Sequence, residues 1–193
     1  MSFGFTRHDD QSRDVIEKAQ NKGVIFLAAA PNAGAVEGQD AAFPARMIGK
    51  VIKISSADGR GAPSKYNPPA STRNDNFSML GEAVKSAWPK TLHESGEKRC
   101  SGTSVATPIA AGIAALLLEF ASQSSGPDEL YPIKNSAALW TYYGMRAMFD
   151  LMSRGTLKDG FNWVSPWALF SNGSRLERTD AIAGQISYVL DRL

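Results

Sequence analysis

Residues 24–30 (VIFLAAA) form an unbroken apolar run with turn residues around it, the mark of a strand covered on both faces. Ahead of it, residues 10–21 are mostly polar, with Val15, Ile16 and Ala19 on one helical face, and Asn21-Lys22-Gly23 supplies the stop. Residues 1–5 read as a short strand ending at Gly4. Strand, helix and buried strand in about 30 residues make a βαβ unit, which predicts a parallel sheet with a right-handed crossover. Residues 51–55 (VIKIS) predict another strand. Residues 59–76, rich in Gly, Pro, Ser and Asn and carrying Pro68-Pro69, predict a loop. Residues 103–121 are small or apolar at every position but Glu119 and predict a long helix. Gly126-Pro127 breaks the chain, and residues 135–153 predict a second helix through Leu139, Tyr142, Met145, Phe149 and Met152, closed by Gly155. Residues 179–193 predict a last helix with Ile182, Ile186, Val189 and Leu193 on one side. No internal repeat is present. The pattern predicts an α/β fold of three layers, αβα, around a mostly parallel sheet.

Composition narrows the function classes. The chain has 193 residues, 43% of them hydrophobic and 21% charged, which suits one domain or a large part of a larger one. A net charge of +2, with both signs well mixed, gives no reason to expect nucleic acid or an anionic membrane surface as a partner. The longest apolar stretch, residues 109–118, is too short to span a bilayer. No secretory signal opens the sequence at Met1, and the lone Cys100 has no internal disulfide partner; together they lean toward an intracellular, reducing location.

The chemistry concentrates at the start of the long helix. Gly102 permits a turn that a side chain would resist, and Ser104 falls in the first helical turn, where N–H groups lack intrahelical partners and negative charge is favoured. A serine attacking a carbonyl creates an oxyanion at that place. Pro108 lies in the opening turns, where a missing N–H costs little. Ala106, Ala110, Ala111, Gly112, Ala114 and Ala115 would let neighbours approach on several sides.

The string Gly102-Thr103-Ser104-x-Ala106-x-Pro108-x-x-Ala111-Gly112 resembles the nucleophile signature of the subtilisin-like serine proteases, the subtilases. Ala28-Ala29-Ala30-Pro31-Asn32-Ala33-Gly34 is similar to the family loop whose asparagine donates its amide to the oxyanion, with Pro31 standing where glycine is usual. Met1-Ser2-Phe3-Gly4 resembles the strand that pairs with substrate, and Phe77-Ser78-x-x-Gly81 with Val84 resembles the strand and turn before the nucleophile loop. The resemblance implies a subtilisin-like fold, Ser104 and Asn32 as catalytic residues, and Ser2, Phe3 and Gly4 as substrate-binding residues. It covers residues 1–121, read as the C-terminal half of a catalytic domain. Residues 122–193, with Trp140, Trp163 and Trp167, are read as a helical C-terminal extension packed on it.

Two expected parts are missing from the sequence. Subtilases take the aspartate of their triad from an Asp-Ser/Thr-Gly motif and the histidine from His-Gly-Thr, and neither motif is present. His8 (TRHDDQ), even with Asp9 or Asp10 beside it, reads as a surface histidine, and His93 (TLHESG) as a loop residue; Cys100 reads as a small residue rather than a nucleophile. The expectation is therefore a domain incomplete at its N-terminal side. It carries the nucleophile of a serine endopeptidase acting on protein or peptide substrates, nearly inert alone, with an upstream segment supplying Asp and His. The alternative is a catalytically inactive subtilase-like module that binds or regulates. An α/β hydrolase is excluded, because Ala106 replaces the second glycine of Gly-x-Ser-x-Gly and no histidine follows Ser104. No cofactor is evident; structural calcium is implied by the resemblance alone.

Overall fold

A computed structural model describes residues 1–5, 9–32, 42–71, 75–123, 132–170 and 175–193. Asp9 starts helix α1 (Asp10–Gln20): its carboxylate accepts the Ser12 N–H at 3.0 Å, which satisfies one of the helix's orphan donors. The apolar run that follows forms β1 (Phe26–Ala29), and residues 51–57 form β2 (Val51–Ala57). They pair in parallel with Phe26 opposite Val51, and β3 (Phe77–Leu80) joins in parallel with Ile54 opposite Phe77.

Two strand pairs were not foreseen. β4 (Val84–Ala87) and β5 (Glu97–Cys100) make an antiparallel ribbon outside the main sheet. β6 (Leu157–Lys158) and β7 (Phe161–Trp163) make a second hairpin, and β7 pairs in parallel with β3. The main sheet therefore runs β1-β2-β3-β7-β6. The C-terminal region expected to be helical thus contributes two strands to it.

Helix α2 (Thr103–Gln123) lies across β1, β2 and β3. Its buried positions, Thr103, Ala106, Thr107, Ala110, Ala114, Leu117 and Ala121, recur every three or four residues, so one stripe faces the sheet. Small residues there let the helix backbone approach closely. At 21 residues α2 is long and apolar enough to cross a membrane, well beyond the 10-residue run read from sequence, yet its stripe packs on the sheet as a core helix does. The opposite side is exposed at Pro108, Ala111, Gly112, Ala115 and Leu116, so among the described residues neighbours approach from one side only.

Beside α2, the segment expected as one helix over 135–153 divides. A 3-10 turn (Ser136–Trp140) precedes α3 (Tyr142–Met152), and Thr141 between them accepts the Gly144 N–H at 3.1 Å as an N-cap. Gly144 has no room for a side chain, because a Cβ there would overlap the Ala138 carbonyl. α4 (Trp167–Phe170) and α5 (Arg175–Leu190) complete this layer. One apolar cluster joins Leu27, Ile52, Ile54, Phe77 and Met79 of the sheet with the α2 stripe, Met145, Met148, Phe149 and Met152 of α3, and Ile182, Ile186 and Leu190 of α5. Phe77 and Phe149 meet edge to face at 5.7 Å, a geometry worth about 0.5–1.5 kcal/mol beyond burial. The other sheet face carries a smaller cluster of Ile16, Ala28, Phe43, Ala45, Met47 and Val51. The three layers are those expected, and the core is continuous from β1 to α5.

Candidate active site

The site forms where the carboxyl end of β1 meets the amino end of α2, the end of a parallel sheet where ligands gather. β1 continues as Ala30-Pro31-Asn32. The fully buried Thr103 ties that loop to the helix: its Oγ1 lies 2.6 Å from Ala30 O and 3.0 Å from Asn32 Oδ1, and its N–H donates to Asn32 Oδ1 at 3.1 Å. An N–H can donate only to an acceptor, so this contact fixes which end of the Asn32 amide faces the helix. The amide nitrogen is left facing the other way. A Cβ placed on Gly102 would lie 3.4 Å from Asn32 Nδ2 and 3.8 Å from Ser104 N. Gly102, at φ +147°, keeps that space open.

The backbone donors of the first turn can be followed one by one. Thr103 N–H goes to Asn32, and the Val105 and Ala106 N–H groups go to Gly102 O at 2.9 and 3.1 Å. Ser104 N–H has no partner among the described residues, and neither has Asn32 Nδ2. Two unpaired donors thus flank one small space beside the exposed Ser104 side chain, an arrangement suited to a developing negative oxygen.

Residues 1–5 run along the outer edge of β1 without forming a full strand. The Met1 nitrogen donates to Leu27 O at 2.6 Å, Ala29 N–H donates to Met1 O at 3.0 Å, and Phe5 bridges Phe43. Gly4 is pressed against Ala42, whose Cβ would lie 2.6 Å from an added Cβ. Ser2 reaches the first turn of α2: Ser104 Oγ donates to Ser2 O at 3.3 Å and Ser2 Oγ donates to Ser104 O at 3.1 Å. The second bond follows from Pro108. Proline lacks the N–H that would take up the carbonyl four residues back, and the Ser2 hydroxyl supplies the missing donor. Phe3 turns outward, 59% exposed, edge to face with Phe5 at 5.8 Å. The structure therefore brings Ser104, Asn32 and Ser2 together and leaves Phe3 at the rim.

No base touches Ser104 among the described residues. His93 sits in the turn at the far end of the β4–β5 ribbon, exposed, with Nδ1 2.8 Å from Ser95 Oγ. Four strand residues at a rise of about 3.4 Å each put that turn roughly 10 Å beyond Cys100. His8 and the Ala33-Gly34 part of the Asn32 loop lie outside the described residues. Asp9, considered as a partner for His8, caps α1, and Cys100 pairs across the ribbon with Val84. Groups with shifted pKa values lie elsewhere. Asp58 is held low by N–H bonds from Ala62 and Arg60, and burial pushes Asp150 and Tyr142 up. Among the described residues no group of three or more His, Cys, Asp or Glu side chains is placed to hold a metal ion, so no calcium ligands are assigned.

The family model of the subtilases matches residues 1–158. The chain belongs to the subtilase family. The match extends past residue 121, through β6 and into the layer of α3. Among curated subtilases, the chain is 29% identical over 170 residues to the subtilisin-like protease het-Q2 of Podospora anserina, covering 84% of this chain and 44% of that protein. It is 37% identical over 108 residues to alkaline serine exoprotease A of Vibrio alginolyticus, covering 54% and 18%. In three dimensions it is similar to the self-cleaved protease domain of PatA (TM-score 0.65, 21% identity, 96% of this chain and 61% of that one). It is also similar to the PatG macrocyclase in complex with peptide (TM-score 0.56, 21% identity, 75% and 40%). The chain thus spans less than half of the het-Q2 protease and about three fifths of the PatA domain.

Thr103 belongs to this candidate site although the motif alone did not mark it as a site residue. Its signal was available: a buried threonine directly ahead of the serine has a hydroxyl that must find a partner. Its partners lie 71 and 73 residues away, which no local pattern records.

Proposed function

We propose that this subtilase chain carries the nucleophile and oxyanion site of a serine endopeptidase. Ser104 Oγ attacks the scissile carbonyl carbon and forms a C–O bond as its proton passes to a histidine base outside this sequence, itself oriented by an aspartate. The carbonyl oxygen takes the negative charge and is held by Asn32 Nδ2 and Ser104 N–H. When the C–N bond breaks, the histidine returns the proton to the leaving amine; water then releases the acyl group by the same path. An extended peptide pairs with the backbone of residues 2–4, which requires Ser104 Oγ to leave Ser2 O. The observation that carries this reading is the pair of unpaired donors beside Ser104. Proteins and peptides are the substrate class, and PatG, a relative in fold, was solved with a peptide.

A second reading rests on the hydrogen bond from Ser104 Oγ to Ser2 O: a subtilase-like module that binds extended peptides without cleaving them. A fluorophosphonate probe separates the two. The product of the complete gene is expected to be labelled at Ser104, and Ser104→Ala to abolish labelling. The 193-residue chain alone is expected to react about a million-fold more slowly, the loss measured when subtilisin, a member of this family, lacks its histidine or serine. A folded complete-gene product that is not labelled would overturn the endopeptidase reading in favour of the binding module.

A further inference from the structure

Beneath the nucleophile turn lies a polar cluster outside the site described so far. Ser56, at the end of β2, has both of its backbone groups bonded to the Asn67 side chain, N–H to Oδ1 at 2.9 Å and O from Nδ2 at 2.7 Å. Ser64 Oγ donates to Ser56 Oγ at 3.0 Å, and the Tyr66 hydroxyl lies 3.3 Å from the same atom. Ser56, Ser64 and Asn67 are almost fully buried, and Tyr66 is half-buried. The Tyr66 hydroxyl also donates to Gly81 O at 3.3 Å. That carbonyl accepts the Gly102 N–H at 2.8 Å, two residues ahead of Ser104.

Gly81 is therefore a junction. Its N–H is held by Ala57 O at 2.9 Å, and a side chain on it would meet Ser56 Oγ, Gly102 O at 2.9 Å and Ala106 Cβ at 3.0 Å. The β4–β5 ribbon leaves the sheet at Gly81 and returns at Ser101, and none of the residues between them is buried. A two-stranded ribbon without a covering layer is marginal by itself and moves easily. It is rooted by Gly81 O to Gly102 N–H and by the Ser101 hydroxyl, which accepts the Ala83 N–H at 2.8 Å. Movement of the ribbon would reach Gly102 and Ser104 N–H unless Gly81 is held from below. A carbonyl oxygen has two lone pairs. One holds Gly102 and the other takes Tyr66.

We infer that Tyr66 is a positioning residue for the nucleophile turn, acting through the Gly81 carbonyl. Its effect on catalysis rests on the endopeptidase reading above; its effect on the turn does not. The test is Tyr66→Phe, which keeps the ring and removes the hydroxyl. In the 193-residue chain, exchange of the Gly102 amide is expected to quicken about five- to tenfold, the effect of losing one net hydrogen bond, with the amides of β1 and of the C-terminal half of α2 unchanged. Unchanged Gly102 exchange overturns the inference whether or not the protein cleaves peptides. In the complete-gene product, kcat per titrated active site is expected to fall by a similar factor with KM unchanged. A purely structural role would lower the titratable fraction and leave kcat per site as it was, which also overturns the inference. Ser64→Ala, which leaves Tyr66 and Gly81 in contact, is expected to change Gly102 exchange less than Tyr66→Phe. If the wild-type complete-gene product proves inactive, the endopeptidase reading fails and the exchange result alone decides the role of Tyr66.

Discussion

The two sides of α2 are built from the same kinds of residue and do opposite things. Toward the sheet, Ala106, Ala110, Ala114 and Ala121 are all but fully buried and bring the helix backbone close to β1, β2 and β3. Away from it, Ala111, Gly112 and Ala115 are exposed, and Leu116 beside them is 69% exposed. A run of small apolar residues marks a helix that can be approached closely. It does not say from how many directions, because alanine carries the same signal whether it is covered or open.

Matched substitutions sharpen that contrast. Ala110→Leu inserts three carbons where there is no space and is expected to cost about 1–3 kcal/mol or more, read from denaturant midpoints. The neighbouring Ala111→Leu points into the open and is expected to change stability by less than about 0.5 kcal/mol. Equal losses at the two positions would mean that the open side is covered. Gly81→Ala, at the root of the ribbon, should cost about 1–3 kcal/mol, because one of its clashes is with the backbone of Gly102. Gly112→Ala has nothing within 4 Å of the added Cβ and is expected to stabilise the 193-residue chain by about 0.5–1 kcal/mol through helix propensity. A loss there would show that the open side of α2 is covered.

The smallest expected effect is a pH dependence in the helical layer that shares the core with α2. Burial raises the Asp150 pKa, opposed by Arg146 at 3.0 Å. A carboxyl with a raised folded pKa favours the fold while protonated and loses that contribution as pH rises through the folded value. The stability of Asp150→Asn relative to the unmodified chain is therefore expected to be higher at pH 7 than at pH 3. The opposite slope would show that the ion pair outweighs burial.

What could be read in advance divides along the same line between local and distant causes. α1, β1, β2 and α2 were legible because an apolar run or a helical stripe is written within a few turns of chain. β4 and β5 were not, since none of their residues is buried and they show no alternation. β6 and β7 have two and three residues, too few for a period. The break at Thr141 was hidden because Leu139 in the 3-10 turn and Met145 in α3 keep a helical spacing across it. At the site, Ser104 and Asn32 were singled out through motif resemblance, and the structure sets Asn32 Nδ2 and Ser104 N around the same space at Gly102. Thr103, which aims Asn32, and Ser2, which takes up the carbonyl that Pro108 leaves free, act across 71 and 102 residues. Those contacts are products of the fold.

The proposed function requires that Asn32 Nδ2 and Ser104 N–H point at one oxygen. The most direct measurement is a crystal structure of the complete-gene product carrying a peptidyl phosphonate on Ser104. The phosphoryl oxygen is expected at about 2.7–3.1 Å from both nitrogens, with Asn32 Oδ1 still accepting from Thr103. A phosphoryl oxygen turned toward solvent, or an Asn32 amide drawn away from Gly102, would contradict it.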